Sequence, residues 1–332
     1  MNPAFTELDP HDSDRIDAAF GLRTEAARED TPGLPAPCRA DLIGSVRVPP
    51  PATRVEEWLV TADRHTPDAI ASLRLEFPTE ENTASVTAAV LAVRPGLRRR
   101  GIGRKLVEFA GARGKLDGRT WLLLFADAGP GAEDTIPAAR FADALGGRTV
   151  MTLDHLRLEV CDAPAAGPVP DGYTCRTWGS TVPDELVAEA ARLEATLSAD
   201  APTGDLDWEP QPAAISRIRA FERMRIARGR RAYQTGIRHE GTGRLVAWSA
   251  VSMTTANPDS ALQAVTVVDP GHRGRGLGRL VKALNLRYVR GSETELRTID
   301  TWNSTGNVHM RRINEEFGFR PAGGRRMWEL DI

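Results

Sequence analysis

Two short segments of the chain place arginine and glycine at the same spacing, R-x-x-G-x-G, each after an apolar segment and a V-x-P-G turn. They are Arg98, Arg99, Arg100, Gly101, Ile102 and Gly103 in the first half, and Arg273, Gly274, Arg275, Gly276, Leu277 and Gly278 in the second. Each segment opens a helical pattern, so backbone N–H groups and the helix dipole point at one place. Glycine lets a ligand approach the backbone closely, and arginine adds a charged donor. Each segment therefore predicts a pyrophosphate site.

The two segments belong to a repeat of domain length. Their glycines are separated by 276 − 101 = 175 residues, and a second pair of similar motifs, around Gly146 and Gly318, by 318 − 146 = 172 residues. A chain of 332 residues is long enough for two domains of ordinary size. The proline-rich stretch 161–171 is typical of a linker. We therefore predict an N-terminal domain over residues 1–160 and a C-terminal domain over residues 172–332.

Composition argues against several classes of protein. The formal net charge of −2 is unlike that of a general nucleic-acid or membrane-surface binder. No apolar run approaches the roughly 18 residues of a membrane span, and the polar, acidic first residues are unlike a secretory signal. Cys38, Cys161 and Cys175 are scattered without metal-ligand spacing. We expect a cytoplasmic protein with free thiols, no bound metal and no membrane contact.

The glycine-containing segments resemble the acetyl-CoA loop of the GNAT acyltransferases. A dinucleotide fingerprint would read G-x-G-x-x-G and a P-loop would need G-K-[ST], and neither pattern fits. The resemblance implies an α/β (α+β) protein of two consecutive GNAT folds, each with a mixed, curved sheet flanked by helices. It covers nearly all of residues 171–332 and is looser over residues 1–160.

Hydrophobic periodicity agrees with that fold. The second half predicts the element order β-α-α-β-β-β-α-β-α-β. The first half is similar, except that the proline- and glycine-rich stretch 31–51 predicts a loop. Each half is expected to close with its own strand, over residues 149–160 in the first half and 326–330 in the second.

The second half also resembles GNAT enzymes where they border the pantetheine and thiol of the donor. Asn303 and Asn307 match the N-x-x-x-N pattern there, and an asparagine amide can both donate to and accept from pantetheine amides. A turn residue followed by a helix N-cap is the alternative interpretation. The equivalent stretch 128–137 of the first half contains no asparagine, and Gly147 stands where the second half has Phe319. The resemblance therefore implies catalysis in the C-terminal domain, and cofactor binding without turnover, or scaffolding, in the N-terminal domain.

Acetyl-CoA is the acyl donor that the resemblance implies. The implied binding residues are Val93, Arg98, Arg99, Arg100, Gly101, Ile102, Gly103 and Arg104 in the first half, and Val267, Val268, Arg273, Gly274, Arg275, Gly276, Leu277, Gly278, Arg279, Asn303 and Asn307 in the second.

The usual acid and base of GNAT enzymes are missing from their expected positions. Gln263 stands near the usual glutamate, and Asn314 stands at the position of the usual tyrosine. The nearest carboxylates are Asp200, Asp205, Asp207 and Glu209, and we take the last three as the catalytic candidates. They flank Trp208 in the connection between the first two helices of the second half, which lines the acceptor site in GNAT folds. An acidic loop with an aromatic residue suits a cationic amine, and a solvated loop is the alternative.

We therefore expect an N-acetyltransferase that acts on an amine of a small molecule, as a monomer or homodimer without nucleic-acid partners. Two alternatives stay open: a protein-lysine acetyltransferase, and a non-catalytic acyl-CoA-binding sensor, which the missing acid and base would suit. His272 beside the second loop is expected to assist the anion site. His309 in the last helix is expected at the surface.

Overall fold

The computed structural model describes residues 3–63, 68–132 and 135–332, and these residues form two compact units. The first unit extends to Thr152 and also contains Gly204–Glu209 and Gly323–Ile332. The second unit contains Leu153–Thr203 and Pro210–Ala322. None of the helices in the described ranges is long and apolar enough to cross a bilayer.

The elements follow the order expected from the repeat. The first half contains β1 (Ala4–Glu7), α1 (Ser13–Asp30), α2 (Arg39–Arg47), β2 (Thr53–Thr61), β3 (Ala69–Pro78), β4 (Ser85–Val93), α3 (Ile102–Leu116), β5 (Trp121–Ala128), α4 (Pro137–Asp143) and β6 (Arg148–Glu159). The second half contains β7 (Tyr173–Trp178), α5 (Val187–Asp200), α6 (Ile215–Ala227), β8 (Arg230–His239), β9 (Leu245–Thr254), β10 (Ser260–Val268), α7 (Leu277–Ser292), β11 (Thr298–Ser304), α8 (Val308–Glu316) and β12 (Arg320–Asp331).

The predicted loop over residues 31–51 is wrong in its second part, because α2 occupies Arg39–Arg47. Leu42 and Ser45 of this helix are buried, and Leu42 joins a hydrophobic cluster with residues of α1 and β2. The Ser45 hydroxyl donates to the Leu42 carbonyl oxygen at 2.7 Å. Tertiary packing therefore stabilises a helix whose local composition favours a loop.

Each unit has a mixed sheet with one parallel pair of strands at its centre. In the first unit the order is β1-β2-β3-β4-β5-β12, with β4 and β5 parallel. In the second unit the order is β6-β11-β10-β9-β8-β7, with β10 and β11 parallel. The parallel ladder of the second unit runs only from Ser260↔Thr298 to Leu262↔Asp300, and that of the first unit is equally short. Beyond these pairs the two strands are not paired with each other, and we call the place where pairing ends the opening of the unit.

A β-bulge lies beside each opening. The register of β10 against β9 shifts between Gln263 and Val265, so Ala264 is the extra residue. The register of β4 against β3 shifts in the same way around Ala89. A bulge bends its strand and ends regular pairing, so both bulges help to separate β10 from β11 and β4 from β5.

The strands expected to close each half do not pair within that half. Residues 153–159 of β6 pair with β11 in the second unit, and residues 324–331 of β12 pair with β5 in the first unit. The predicted division at residues 160 and 172 therefore differs from the division into compact units. The last strand of each half of the sequence belongs to the unit that the other half forms. The apolar faces account for this: Leu156 and Leu158 pack with Phe317 and Phe319 in one core, whereas Trp328 packs in the core of the first unit.

Candidate active site

The two arginine–glycine loops have the same backbone conformation. Gly101 and Gly276 adopt left-handed φ values of 79° and 73° immediately before α3 and α7. Two positions earlier, Arg99 and Gly274 are also left-handed, with φ of 62° and 73°. Among the described residues, no side chain caps either helix, so the first N–H groups of each helix point out of the protein. This is the arrangement that binds a phosphate group.

The first arginine of each loop binds both the preceding strand and a helix of the same unit. The Nε atoms of Arg98 and Arg273 each donate to the carbonyl oxygen of the last residue of the preceding strand, both at 3.2 Å. The head group of Arg98 binds Asp30 at 2.8 Å, and that of Arg273 binds Asp200, which are residues of α1 and α5. Backbone N–H groups are therefore the main phosphate donors that these loops offer.

His272 lies at the rim of the second loop, as expected. Its Nδ1 atom is 3.0 Å from the hydroxyl of Tyr173, to which Arg275 also donates at 3.1 Å. Partial burial and the neighbouring His239 ring lower the pKa of His272. The neutral imidazole can therefore either donate or accept a hydrogen bond in this network.

A chain of three polar side chains reaches the opening of the second unit from α7. Nζ of Lys282 donates to Oδ1 of Asn314 in α8, and Nδ2 of Asn314 donates to Oδ1 of Asn303 in β11 at 2.6 Å. Asn303 lies beyond the last pair between β10 and β11, which is at Asp300. The structure thus brings the predicted thiol-end residue together with the residue at the usual tyrosine position.

Two other predicted positions have structural roles. Asn307 is the N-cap of α8 and accepts a hydrogen bond from the Met310 amide at 3.1 Å. The Gln263 amide donates to the Ser249 hydroxyl at 3.1 Å and to the Val265 carbonyl oxygen at 2.7 Å, so it holds the bulge. The alternative interpretation of Asn307 as a helix cap is therefore confirmed, and its contact with pantetheine stays a prediction.

A buried His–Asp pair lies on the sheet of the second unit. Because side chains alternate along β11, the pair is on the face opposite to the Asn303 side chain. Nε2 of His155 in β6 is 2.7 Å from Oδ1 of Asp300, and both side chains are at most 5% exposed. Arg157 donates to both carboxylate oxygens of Asp300, at 2.7 and 3.0 Å. Burial acts to raise the pKa of Asp300, but the hydrogen bonds from His155 and Arg157 lower it overall. The ring of His155 stacks on Trp302 with centroids 4.5 Å apart.

Sequence reasoning missed both His155 and Lys282. His155 lies in the strand expected to close the other half, so nothing in the linear order places it beside Asp300. Lys282 could have been found from the sequence, since it occupies the apolar side of α7 with Val281, Leu284 and other buried residues. A lysine on the buried side of a helix is unusual in a protein without a partner for it.

The acidic loop lies in the first unit, not with the acetyl-CoA loop of the second. The Asp205 amide donates to the Val150 carbonyl oxygen at 2.8 Å, and the Glu209 amide donates to Oδ1 of Asn82 at 2.7 Å. Trp208 is 37% exposed. The assignment of Asp205, Asp207 and Glu209 to the acceptor therefore draws no support from the geometry of the second unit, and it stays a prediction.

The first unit has apolar residues where the second has its polar ones. The offset is 276 − 101 = 175 at the loops, 298 − 121 = 177 along β5 and β11, and 318 − 146 = 172 after α4 and α8. With these offsets and the strand pairing, the counterparts of Lys282, Asp300, Asn303, Asn314 and His155 are, in that order, Val107, Leu123, Ala126, Ala142 and Met327. The two units thus share the phosphate loop and differ at the opening.

Comparison with known proteins agrees with this architecture. No protein-family model matches the chain. Mycothiol acetyltransferase of Tsukamurella paurometabola is 30% identical over 253 residues, which are 70% of this chain and 74% of that enzyme. The enzyme of the same name from Beutenbergia cavernae is 29% identical over 201 residues, 56% of this chain and 60% of its own length. A solved tandem GNAT protein from the clavulanic acid biosynthesis pathway is 33% identical, with a TM-score of 0.88 and 99% and 98% of the two chains covered.

The chain belongs to the tandem GNAT N-acetyltransferase family. The predicted fold class and the predicted enzyme class, an acetyl-CoA-dependent N-acetyltransferase, are confirmed with it. A GCN5-related N-acetyltransferase from Sphaerobacter thermophilus, only 16% identical, shares the fold with a TM-score of 0.66. Similarity to these tandem GNAT proteins leaves open which of the two units performs the transfer.

Proposed function

We propose that the second unit transfers an acetyl group from acetyl-CoA to an amine of a small molecule, while the first unit binds CoA without turnover. The observation that carries this proposal is the contrast between two openings that share one loop conformation. Asn303 lies at the opening of the second unit and is hydrogen-bonded through Asn314 to Lys282, and the counterparts of these three residues in the first unit are a valine and two alanines. An apolar opening offers nothing to polarise a thioester or stabilise a thiolate.

In the proposed reaction the pyrophosphate binds the N-terminus of α7, and the pantetheine enters between β10 and β11. The amine nitrogen attacks the thioester carbonyl carbon, the carbon–sulfur bond breaks, and its electron pair stays on sulfur. The attacking nitrogen must lose a proton, so a base is needed on the acceptor side. The CoA thiolate takes up a proton from solvent after it leaves.

We propose His155 as that base. A carboxylate oxygen only accepts, so Nε2 of His155 carries a hydrogen towards Asp300, and in the neutral ring the lone pair would lie on Nδ1, in the way a carboxylate orients a catalytic histidine. Asp300 ends the parallel ladder, so the pair lies beside the opening. Ile299 packs in the core against α7, and because side chains alternate along a strand, Asp300 faces the other side of the sheet. The proposed base His155, in β6, and the acetyl-CoA loop, before α7, thus lie on different elements near the same opening.

His155→Gln is expected to lower kcat by about 10²–10⁴-fold, the usual contribution of general acid–base catalysis. Asp300 keeps its two hydrogen bonds to Arg157 in this variant, so no buried charge loses its partners. Steady-state kinetics and calorimetric titration with CoA measure turnover and donor affinity separately. His309→Gln is the matched control, because His309 is exposed on α8. An unchanged kcat in folded His155→Gln protein would exclude this base.

The acidic loop gives a separate prediction about acceptor recruitment. If Asp205, Asp207 or Glu209 contacts the ammonium group, Asp→Asn or Glu→Gln substitution removes a charged hydrogen bond of about 1.5–3 kcal/mol. The specificity constant for the acceptor should then fall by roughly one to two decades, while acetyl-CoA affinity stays constant. Kinetics at low salt are decisive because screening is weakest there. Wild-type constants for all three variants would make the loop a surface feature.

The acceptor is best sought among small amines. Two of the relatives named above are mycothiol acetyltransferases, so mycothiol without its acetyl group is the first probe, followed by polyamines, aminoglycosides and amino acids. Release of free CoA thiol reports turnover. Turnover only with lysine peptides would favour a protein acetyltransferase, and CoA binding without turnover on any amine would favour a sensor.

A further inference from the structure

We propose that Lys282 is a positioning residue for the transfer reaction. Through Asn314 it orients the amide of Asn303 so that the Asn303 N–H₂ group faces the opening, where it donates to the sulfur as the carbon–sulfur bond breaks. This inference rests on the proposed function of the second unit. It assigns the role at the thiolate to an asparagine, because Asn314 stands where GNAT enzymes usually have a tyrosine.

The contacts of Lys282 do not indicate that this residue stabilises the fold. Its side chain is 2% exposed and lies over the rings of Phe319 and Phe317, with Nζ 4.2 and 5.7 Å from the ring centroids. In the described ranges of the chain no carboxylate lies within 4.0 Å of its Nζ atom. Burial alone lowers the pKa of Lys282 to about 7. An ammonium group in such a place costs stability, and its counterpart Val107 shows that the fold accepts an apolar residue there.

The direction of the hydrogen bonds follows from the lysine. Below its pKa of about 7 Lys282 is an ammonium group, which only donates, so it must face an oxygen, and Oδ1 of Asn314 is that oxygen. Nδ2 of Asn314 is then left to donate, and it donates to Oδ1 of Asn303 at 2.6 Å. With its oxygen turned towards Asn314 in this way, the Asn303 amide has its N–H₂ group on the other side. One buried cation thus fixes the orientation of two amides that would otherwise flip freely.

That orientation suits the leaving group. Negative charge develops on the sulfur as the bond breaks, and a fixed N–H donor stabilises it more than freely rotating groups do. Asn303 is partly exposed, whereas Lys282 and Asn314 are buried, so Asn303 is the member that a thiol in the opening would contact. No proton moves from Lys282 through the two asparagines, since a neutral amide does not release a proton near neutral pH.

Lys282→Met, which keeps the length of the side chain without its charge, tests the proposal in the full-length protein. The expected result is a 10- to 100-fold lower kcat, an acetyl-CoA KM within about twofold of wild type, and equal or greater resistance to unfolding, because a buried ammonium group is removed. A residue with only a structural role would instead lower stability and leave kcat unchanged, which would overturn the proposal.

A double-mutant cycle tests whether Lys282 acts through Asn303. In an Asn303→Leu background, Lys282→Met should cause no further loss of kcat, because coupled residues are not additive. Additive losses would overturn the proposal. Asn314→Asp covers the case in which Lys282→Met does not fold, since its carboxylate keeps an acceptor for Lys282 and replaces the N–H donor to Asn303 by a second acceptor oxygen. Wild-type kcat in this variant would also overturn the proposal, whereas the proposed function would stand if His155→Gln still lowered kcat by about 10²-fold or more.

Discussion

Replacing Gly276 with valine is expected to abolish acetyl transfer and CoA binding by the second unit while the protein stays folded. A Cβ at this position would meet no protein atom within 4 Å, so the folded chain has room for the new side chain. A β-branched residue resists the left-handed φ of 73°, however, and its side chain blocks close approach of a phosphate to the loop. Losing two charge-assisted hydrogen bonds costs about 3–6 kcal/mol, or roughly 10²–10⁴ in affinity.

Gly101→Val is the matched variant in the first unit, where φ is 79° and the space is equally open. It should remove one CoA-binding site, if the first unit binds CoA, and leave turnover near wild type. Calorimetric titration counts the sites in each variant, and kinetics measure turnover. Loss of turnover in Gly101→Val protein with normal turnover in Gly276→Val protein would reverse the assignment of the two units. Unchanged CoA affinity in folded Gly276→Val protein would contradict the loop assignment itself.

Trp328→Ala is expected to destabilise the first unit, although Trp328 is only four residues from the end of the sequence given. Trp328 is 2% exposed and packs in the core that contains Leu73, Leu106 and Leu122 of the first unit. Truncating a buried tryptophan typically costs about 3–5 kcal/mol of unfolding free energy. Chemical denaturation measures this loss, and Trp208→Ala, at a tryptophan that is 37% exposed, is the control.

Hydrogen exchange locates the effect of Trp328→Ala. Its strand pairs with β5, so amides of Leu122 to Leu124 should lose protection, while those of β10 and β11 keep theirs. Lost protection in β11 instead would contradict the exchange of closing strands. For the same reason a fragment ending near residue 165 is a poor test of the first unit, because it lacks the strand that completes the sheet.

The acetyl-CoA loops could be predicted from the sequence because their chemistry is local. The left-handed glycines, the preceding strand and the uncapped helix N-terminus lie within about ten consecutive residues of each repeat. The helix α2 could not be predicted in this way. Its residues form a helix because Leu42 and Ser45 are buried by other elements, and the surrounding prolines and glycines favour a loop.

The sequence by itself determined the repeated phosphate loops, the tandem GNAT family, and the asparagine-bearing segment that distinguishes the second half. Only the tertiary structure decided which strand completes each sheet, and so brought His155 from the first half of the chain to Asp300 in the second. It also decided that Lys282 faces Asn314 and that the acidic loop belongs to the first unit. Strand pairing and burial depend on contacts between residues far apart in the sequence, from 32 positions for Lys282 and Asn314 to 145 for His155 and Asp300, and side-chain types at a short spacing carry no record of such contacts.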